Sequence, residues 1–327
     1  MADAAAPVLE VEGLVKRFPV RAGLFGRGGG WVKAVDDVSF TVGSGETLGV
    51  VGESGCGKTT LGKTVMRLLP ADAGRIVLHG RDITKASDAE LRDRRREIQM
   101  VFQDPFSSLN PRMTCGDIVA EPLEIHRLAA GRDKTARVEA MFERVGLRPE
   151  QMKRYPHQLS GGQRQRLGIA RALALEPSVI VADEPVSALD VSVQAQVLNL
   201  MRDLQRGSKL AYLFISHDLA VIEHIAQRIA VMYLGKVVEI AEKRALFSQP
   251  RHPYTEALLA AVPVPRPSAR GKRAILSGDV PSPVDPPAGC AFHTRCPLAQ
   301  EVCRRETPKL RRLGPGQAVA CHLRGPD

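Results

Sequence analysis

Aromatic residues are scarce in this chain: only 4% of its 327 residues are Phe, Trp or Tyr, with a single Trp and four Tyr. Proteins that hold single-stranded nucleic acid stack bases on aromatic platforms. No basic run here interleaves with aromatics, so the formal charge of +10 reads as an Arg-rich surface and no nucleic acid is expected as a partner. Such a surface also suits phosphate ligands and an anionic membrane leaflet. Long apolar runs are missing too. The longest, such as Ala257 to Val262, fall far short of the roughly eighteen residues a spanning helix requires. Met1-Ala2-Asp3 opens with neither the basic region nor the apolar core of a secretory signal, so a cytoplasmic location is expected. Six cysteines would then meet a reducing compartment that disfavours disulfides.

What is present is enough for a full core: 44% hydrophobic residues in a chain long enough for one large α/β domain with an appendage. Short β runs are expected at Val8 to Val11, Val38 to Val42 and Leu48 to Val51, with a Gly-rich basic loop at Arg21 to Gly30. Thr59 to Leu69 is helical and stops at Pro70. Ser87-Asp88-Ala89-Glu90 has capping-box spacing and opens a charged helix to Glu97, followed by a strand at Ile98 to Phe102. From Asp104 the β pattern vanishes. Helices around Cys115 to Leu128 and Lys134 to Val145 predict a helical subdomain inserted over about 104–172. Strand character returns at Val179 to Ala182, Leu210 to Ile215, Ile229 to Tyr233 and Lys236 to Ile240, with a helix at Ser192 to Gln205. This alternation predicts an α/β fold with a mainly parallel sheet. After about residue 250 prolines cluster from Pro263 to Pro287, and four cysteines follow residue 289. That composition predicts a separate module over 251–327 on an extended linker.

Gly52-Glu53-Ser54-Gly55-Cys56-Gly57-Lys58-Thr59, with Thr60 next, fits G-x-x-x-x-G-K-[ST] after an apolar strand. Phosphate oxygens need a close backbone, which glycines permit. Lys58 then reaches the β and γ phosphates, Thr59 offers its hydroxyl to Mg²⁺, and the helix start adds its positive dipole end; Cys56 is a small filler. Asp183 ends the buried run Val179 to Ala182, where open α/β sheets bind ligands, and can hold Mg²⁺. Phe18 is the candidate to stack on adenine, the alternative being an ordinary strand-end core residue. Leu159-Ser160-Gly161-Gly162-Gln163 combines S-x-x-Q capping with two glycines: a helix start that presents free N–H groups to an anion.

These motifs, in this order, resemble the ATP-binding cassette family, the ATPase subunits of ABC transporters, with Leu159 to Gln163 as its signature. The resemblance implies a P-loop NTPase cassette over 1–250, with an antiparallel β subdomain beside the core sheet. It assigns Glu184 to activating water, Gln103 to the Q-loop that contacts Mg²⁺ or that water, His217 to the switch position near the γ phosphate, and Ser187 to Asp190 to the D-loop. One P-loop and one signature per chain then imply two chains meeting head to tail around two ATP molecules.

Gln103 to Pro111, Tyr155 to Leu159 and Arg251 to Thr255 resemble the dipeptide/oligopeptide importer branch, most closely its F-type subunit. This implies a paralogous ATPase partner, two integral membrane permease subunits, an external binding protein, and residence on the cytoplasmic face of the inner membrane. Nickel, glutathione or another small solute is the alternative cargo. A soluble ABC ATPase acting on nucleic acid or ribosomes is the rival reading. Cys290, Cys296, Cys303 and Cys321 are spaced C-x5-C-x6-C-x17-C, looser than structural zinc sites but compatible with an iron-sulfur cluster. The branch resemblance implies [4Fe-4S]; zinc and unligated thiols stay open, with His293 and His322 as substitute ligands.

Overall fold

The computed structural model describes residues 6–20, 30–104, 108–261, 278–314 and 316–324. Its strands are β1 (Leu9–Pro19), β2 (Trp31–Val42), β3 (Thr47–Val51), β4 (Ala73–Leu78), β5 (Arg81–Asp82), β6 (Ile98–Val101), β7 (Val179–Asp183), β8 (Ala211–Ser216), β9 (Arg228–Tyr233), β10 (Lys236–Glu242), β11 (Arg311–Gly314) and β12 (Gln317–Val319). The helices are α1 (Lys58–Val65), α2 (Asp88–Arg94), α3 (Cys115–Ile125), α4 (Gly131–Arg144), α5 (Gly161–Leu173), α6 (Val191–Ser208), α7 (Leu219–Ile225), α8 (Lys243–Ser248), α9 (Pro253–Ala261) and α10 (Glu301–Arg305).

The larger sheet runs β11-β12-β10-β9-β3-β8-β7-β6, and its five strands from β9 to β6 are parallel. Every residue of β3, β7 and β8 is buried. Parallel strands covered on both faces read as unbroken apolar runs. Side chains alternate between two cores. Tyr212 and Phe214 of β8 enter one, while Ala211, Leu213 and Ile215 enter the other. The second core also receives Leu9, Val38 and Ile76 from an antiparallel sheet ordered β2-β1-β4-β5, as expected for a β subdomain. β1 and β2 run farther than their apolar patterns predict, to Pro19 and from Trp31, and β4 carries no pattern that announced it.

α3, α4 and α5 form a helical layer in which Val138 and Phe142 bury against the core shared by Ile118, Leu123 and Leu167. Thr114 caps α3 by accepting from the Asp117 N–H at 3.2 Å. α5 also packs on β6, which couples this layer to the sheet.

The C-terminal extension does not stand apart as the composition predicted. β12 pairs antiparallel with β10, from Glu239 opposite Val319 to Ala241 opposite Gln317. β11 then pairs with β12, so the tail supplies the last two strands of the main sheet. Phe292 of the tail is 1% exposed and packs edge-on to Tyr233, with ring centroids 5.3 Å apart, and against Tyr254 at 5.4 Å. The fully buried Glu239 carboxylate binds the tail at three points. It accepts from Arg251 N–H (2.9 Å), His252 N–H (2.8 Å) and Gln317 Nε2 (3.2 Å). A buried charge is tolerated only when it is bonded this fully. The Pro-containing linker over 262–277 and the Gly-rich basic loop over 21–29 lie outside the described residues.

Candidate functional site: a nucleotide cavity at the carboxyl edge of the sheet

Register places the chemistry. Val51 lies opposite Ser216, Asp183 opposite Ile215 and Val101 opposite Ala182. The segments that leave β3, β8, β7 and β6 therefore emerge at one edge and carry Gly52, His217, Glu184 and Gln103 to a common place. That edge is where open α/β sheets bind ligands.

The loop from β3 to α1 wraps closely on neighbouring backbone. A Cβ on Gly57 would lie 1.9 Å from the Ala34 carbonyl oxygen, at φ +107, and one on Gly52 would lie 2.1 Å from the Met232 carbonyl oxygen. Neither position admits a side chain. Lys58 is buried and its Nζ donates to the carbonyls of Gly52 (2.7 Å) and Glu53 (3.0 Å), which fixes the ammonium beneath the loop. Burial pushes the Cys56 thiol up, despite the neighbouring Lys58, consistent with a neutral filler.

Thr59 Oγ1 donates to Asp183 Oδ1 at 3.1 Å. Asp183 is 3% exposed, and its carboxyl titrates above the usual carboxylate range because burial disfavours the charged form more than Thr59 and the nearby Lys63 and Lys58 favour it. Glu184 follows in left-handed backbone, φ +47, held by its N–H to the Ile215 carbonyl at 2.9 Å. A non-glycine residue there is strained by about 1–3 kcal/mol and persists where surrounding bonds impose it. The turn aims the side chain inward. Glu184 Oε2 accepts from Gln103 Nε2 at 3.0 Å and lies 3.0 Å from His217 Nδ1. The segments after β6 and β8 thus bring two side chains to one carboxylate oxygen of the residue that follows β7, although Gln103 and Glu184 are 81 residues apart in the chain.

A cavity of ≈ 680 Å³ opens here, lined by Ser54 to Thr60, Gln103, Glu184, His217 and Phe18. This lies within the span of about 300–1,000 Å³ common for ligand pockets. Phe18 pairs with Val32 across the antiparallel sheet, and Lys16 Nζ sits 5.4 Å from its ring centroid. Val32, Lys33, Ala34, Leu234, Gly235 and Pro283 also line the cavity. No motif marked them; they contribute wall shape from strand and loop backbone. Gly52 and Glu53 lie behind the lining, and Glu53 turns its carboxylate away to Arg295.

Ser160 to Gln163 are not in this cavity. Ser160 caps α5, accepting from Gln163 N–H at 3.3 Å, while Gln163 Oε1 accepts from Ser160 N–H at 3.0 Å. Ser160 and Gly161 are exposed, so the helix start presents its N–H groups outward. A Cβ on Gly162 would lie 2.5 Å from Val193 Cγ1 of α6, which sets the close packing of the two helices. Ser187 Oγ donates to the Glu184 carbonyl at 3.0 Å and Asp190 stands at the start of α6, and between them Leu189 Cδ2 lies 3.4 Å from where a Cβ on Gly161 would stand.

The four tail cysteines do come together, lining one small pocket with His252, His293 and His322. Its volume is only ≈ 10 Å³, about one water-sized sphere. Burial pushes the Cys290 thiol up to about 11 and raises Cys296, so both are neutral thiols in the metal-free chain. Among the described residues no group of three or more His, Cys, Asp or Glu side chains is arranged to hold a metal ion. The expected [4Fe-4S] cluster, and zinc in its place, find no support in the described residues. The Thr59 hydroxyl, Asp183 carboxylate and Gln103 amide are hard oxygen donors of the kind Mg²⁺ selects. Among the described residues no helix is long and apolar enough to cross a membrane.

Comparison with known proteins agrees with this geometry. The ABC transporter family matches residues 35–187, and the oligopeptide/dipeptide transporter C-terminal region matches residues 238–303. The chain is 57% identical, over its full length and 92% of the relative, to the probable peptide ABC transporter ATP-binding protein y4tS of Sinorhizobium fredii. It is 54% identical, over 97% of each chain, to the oligopeptide transport ATP-binding protein AppF of Bacillus subtilis. The dimeric post-hydrolysis structure of the ATP-binding cassette MJ0796, bound to ADP and Pi, is similar over 72% of this chain and 99% of that one, with a TM-score of 0.64 and 28% identity. With P-loop, Asp183-Glu184 and signature in place along a relative-length match, the chain belongs to the ABC transporter ATPase family, in the branch that carries the oligopeptide/dipeptide transporter C-terminal region.

Proposed function

We propose that this ABC ATPase powers uptake of dipeptides or oligopeptides through permease subunits in the cell membrane, to whose cytoplasmic face it attaches. One observation carries the mechanical part: the cavity holds Lys58, Thr59, Glu184 and His217, yet the exposed start of α5 is not part of its lining. A second cassette must bring its own signature to this cavity, and this signature serves the other's. The similarity to y4tS and AppF, and the tail match, support peptide as cargo and a paralogue as second cassette.

In the proposed reaction ATP lies on the P-loop, with Lys58 as a point charge against the β and γ phosphates and Phe18 against the base. Mg²⁺, when bound, neutralises phosphate charge; Thr59, Asp183 and Gln103 are the residues that would hold it. Glu184 orients the attacking water and takes its proton. The Glu184 side chain is held for this by Gln103 and His217, which both engage Oε2. Phosphoryl transfer depends mainly on positioning and electrostatics of this sort.

The test is reconstitution in vesicles with permease and paralogous ATPase subunits from the same cell, measuring uptake of labelled peptides against nickel and glutathione competitors. ATP-dependent accumulation of peptide, abolished by Glu184→Gln, is the expected result. Tight, salt-sensitive binding to RNA or DNA without any association with permeases would overturn the reading in favour of the soluble alternative.

A further inference from the structure

Glu53 occupies a free position of the P-loop motif, where the phosphate chemistry asks for no particular side chain. In this chain all three of its polar groups are committed. The carbonyl accepts from Lys58 Nζ at 3.0 Å, the N–H donates to the Tyr254 hydroxyl at 2.9 Å, and the carboxylate receives a two-pronged bond from Arg295, Nη1 to Oε2 at 2.7 Å and Nη2 to Oε1 at 3.0 Å. Two of these three partners belong to the C-terminal extension. The Arg295 side chain is 5% exposed, that of Glu53 27%, and the guanidinium also lies over the Tyr233 ring at 6.0 Å. Tyr254 is fully buried beside Tyr233 and Phe292. The anchoring points are therefore themselves immobilised.

We propose that Arg295 is a positioning residue for ATP binding: with Tyr254 it clamps the first turn of the P-loop and so holds Lys58 where the phosphates arrive. A planar guanidinium engaging both carboxylate oxygens fixes orientation as well as distance, which a surface pair would not do. The chain of contacts is short. Arg295 fixes the Glu53 side chain, Tyr254 fixes its peptide N–H, and the carbonyl of the same residue is a ligand of Lys58 Nζ. Releasing the clamp lets the loop and the ammonium sample other positions, and ATP must then select the competent one at a cost in apparent affinity. Arg295 lies next to Cys296 in the loop that starts at Cys290, where Arg295 N–H donates to the Phe292 carbonyl at 3.0 Å. The conformation of that loop is in this way transmitted to the nucleotide site.

The inference rests on the nucleotide reading of the cavity, and binding of a fluorescent ATP analogue to the unmodified full-length chain checks that reading separately. The test compares this affinity in Arg295→Met, Arg295→Lys, Glu53→Gln and the Glu53→Gln/Arg295→Met pair, with thermal melting of each. Expected are a roughly three- to tenfold weaker Kd in either single variant, partial recovery in Arg295→Lys over Arg295→Met, and no further loss in the double variant, because both changes break one contact. Should Arg295→Met fail to fold, Arg295→Lys and Glu53→Gln still give the comparison. Folded variants with Kd within about twofold of the parent, or melting temperatures that fall while Kd holds, would show a purely structural contact and overturn the proposal. Losses that multiply in the double variant would overturn it as well.

Discussion

His217 Nδ1 and Glu184 Oε2 stand 3.0 Å apart, and Gln103 donates to that same oxygen. Loss of the carboxylate's charge should therefore leave the cavity walls and Lys58 in place while removing the base. Glu184→Gln is expected to bind ATP within a few-fold of the parent and to hydrolyse it about 10²–10⁴ times more slowly, the usual contribution of a general base. His217→Ala, which frees one restraint on Oε2 but keeps the carboxylate, should cost less. Single-turnover phosphate release measures both; hydrolysis by Glu184→Gln at the parental rate would remove Glu184 from its assigned role.

The signature helix can be tested by stability. At Gly162 a methyl group would meet Val193 at 2.5 Å, and overpacking of this kind costs about 1–3 kcal/mol. Alanine's better helix propensity returns at most about 1 kcal/mol, so Gly162→Ala should be net destabilising. Ser160→Ala removes a helix cap and should cost about 1 kcal/mol. Urea midpoints at constant slope would report each change; an unchanged midpoint for Gly162→Ala would mean that α5 and α6 are less tightly packed than described.

His252 predicts an acid limit to stability. It is 1% exposed, its Nδ1 accepts from the Tyr254 N–H at 3.1 Å, and burial lowers its pKa to about 4. The unfolded chain, with a histidine near its ordinary value of about 6.5, takes up a proton that the folded chain refuses. Stability from this group is therefore complete above pH ~6.5 and falls as the pH drops toward ~4, by on the order of 3 kcal/mol. Melting temperature against pH should decline more shallowly over that window in His252→Gln than in the parent. Parallel curves would refute the assignment.

Removing the tail should expose an edge. A chain ending at residue 261 loses Phe292, whose loss alone to alanine should cost about 3–5 kcal/mol. It also strips β12 from β10. The bared N–H and C=O groups of β10 offer a pairing template to other copies. Size-exclusion chromatography with light scattering should show soluble oligomers or aggregates at concentrations where the full chain does not aggregate, and a monodisperse monomer would count against this account of the sheet.

The sequence was most legible where burial was most complete. β3, β7 and β8 sit inside a parallel sheet, and two-sided burial leaves uninterrupted apolar runs. β4 begins with three exposed residues, and β12 is three residues long; such strands exist only because a partner strand is there to pair with. Site residues followed the same division. Lys58, Thr59, Asp183 and Glu184 stand in motifs whose spacing phosphate and metal chemistry would require, whereas Lys33, Gly235 and Pro283 line the cavity and show in no motif. The cysteine spacing foretold a meeting place, since all four line one pocket. A motif with a free second position could not announce a guanidinium arriving from the far end of the chain.

Glu53 and Arg295 are 242 residues apart. At a synthesis rate of about 5–20 residues per second, the ribosome makes the glutamate roughly 12–48 s before the arginine. The nucleotide loop is thus born without its clamp, and a nascent cassette with every motif already translated gains full hold on ATP only when the tail has emerged and docked.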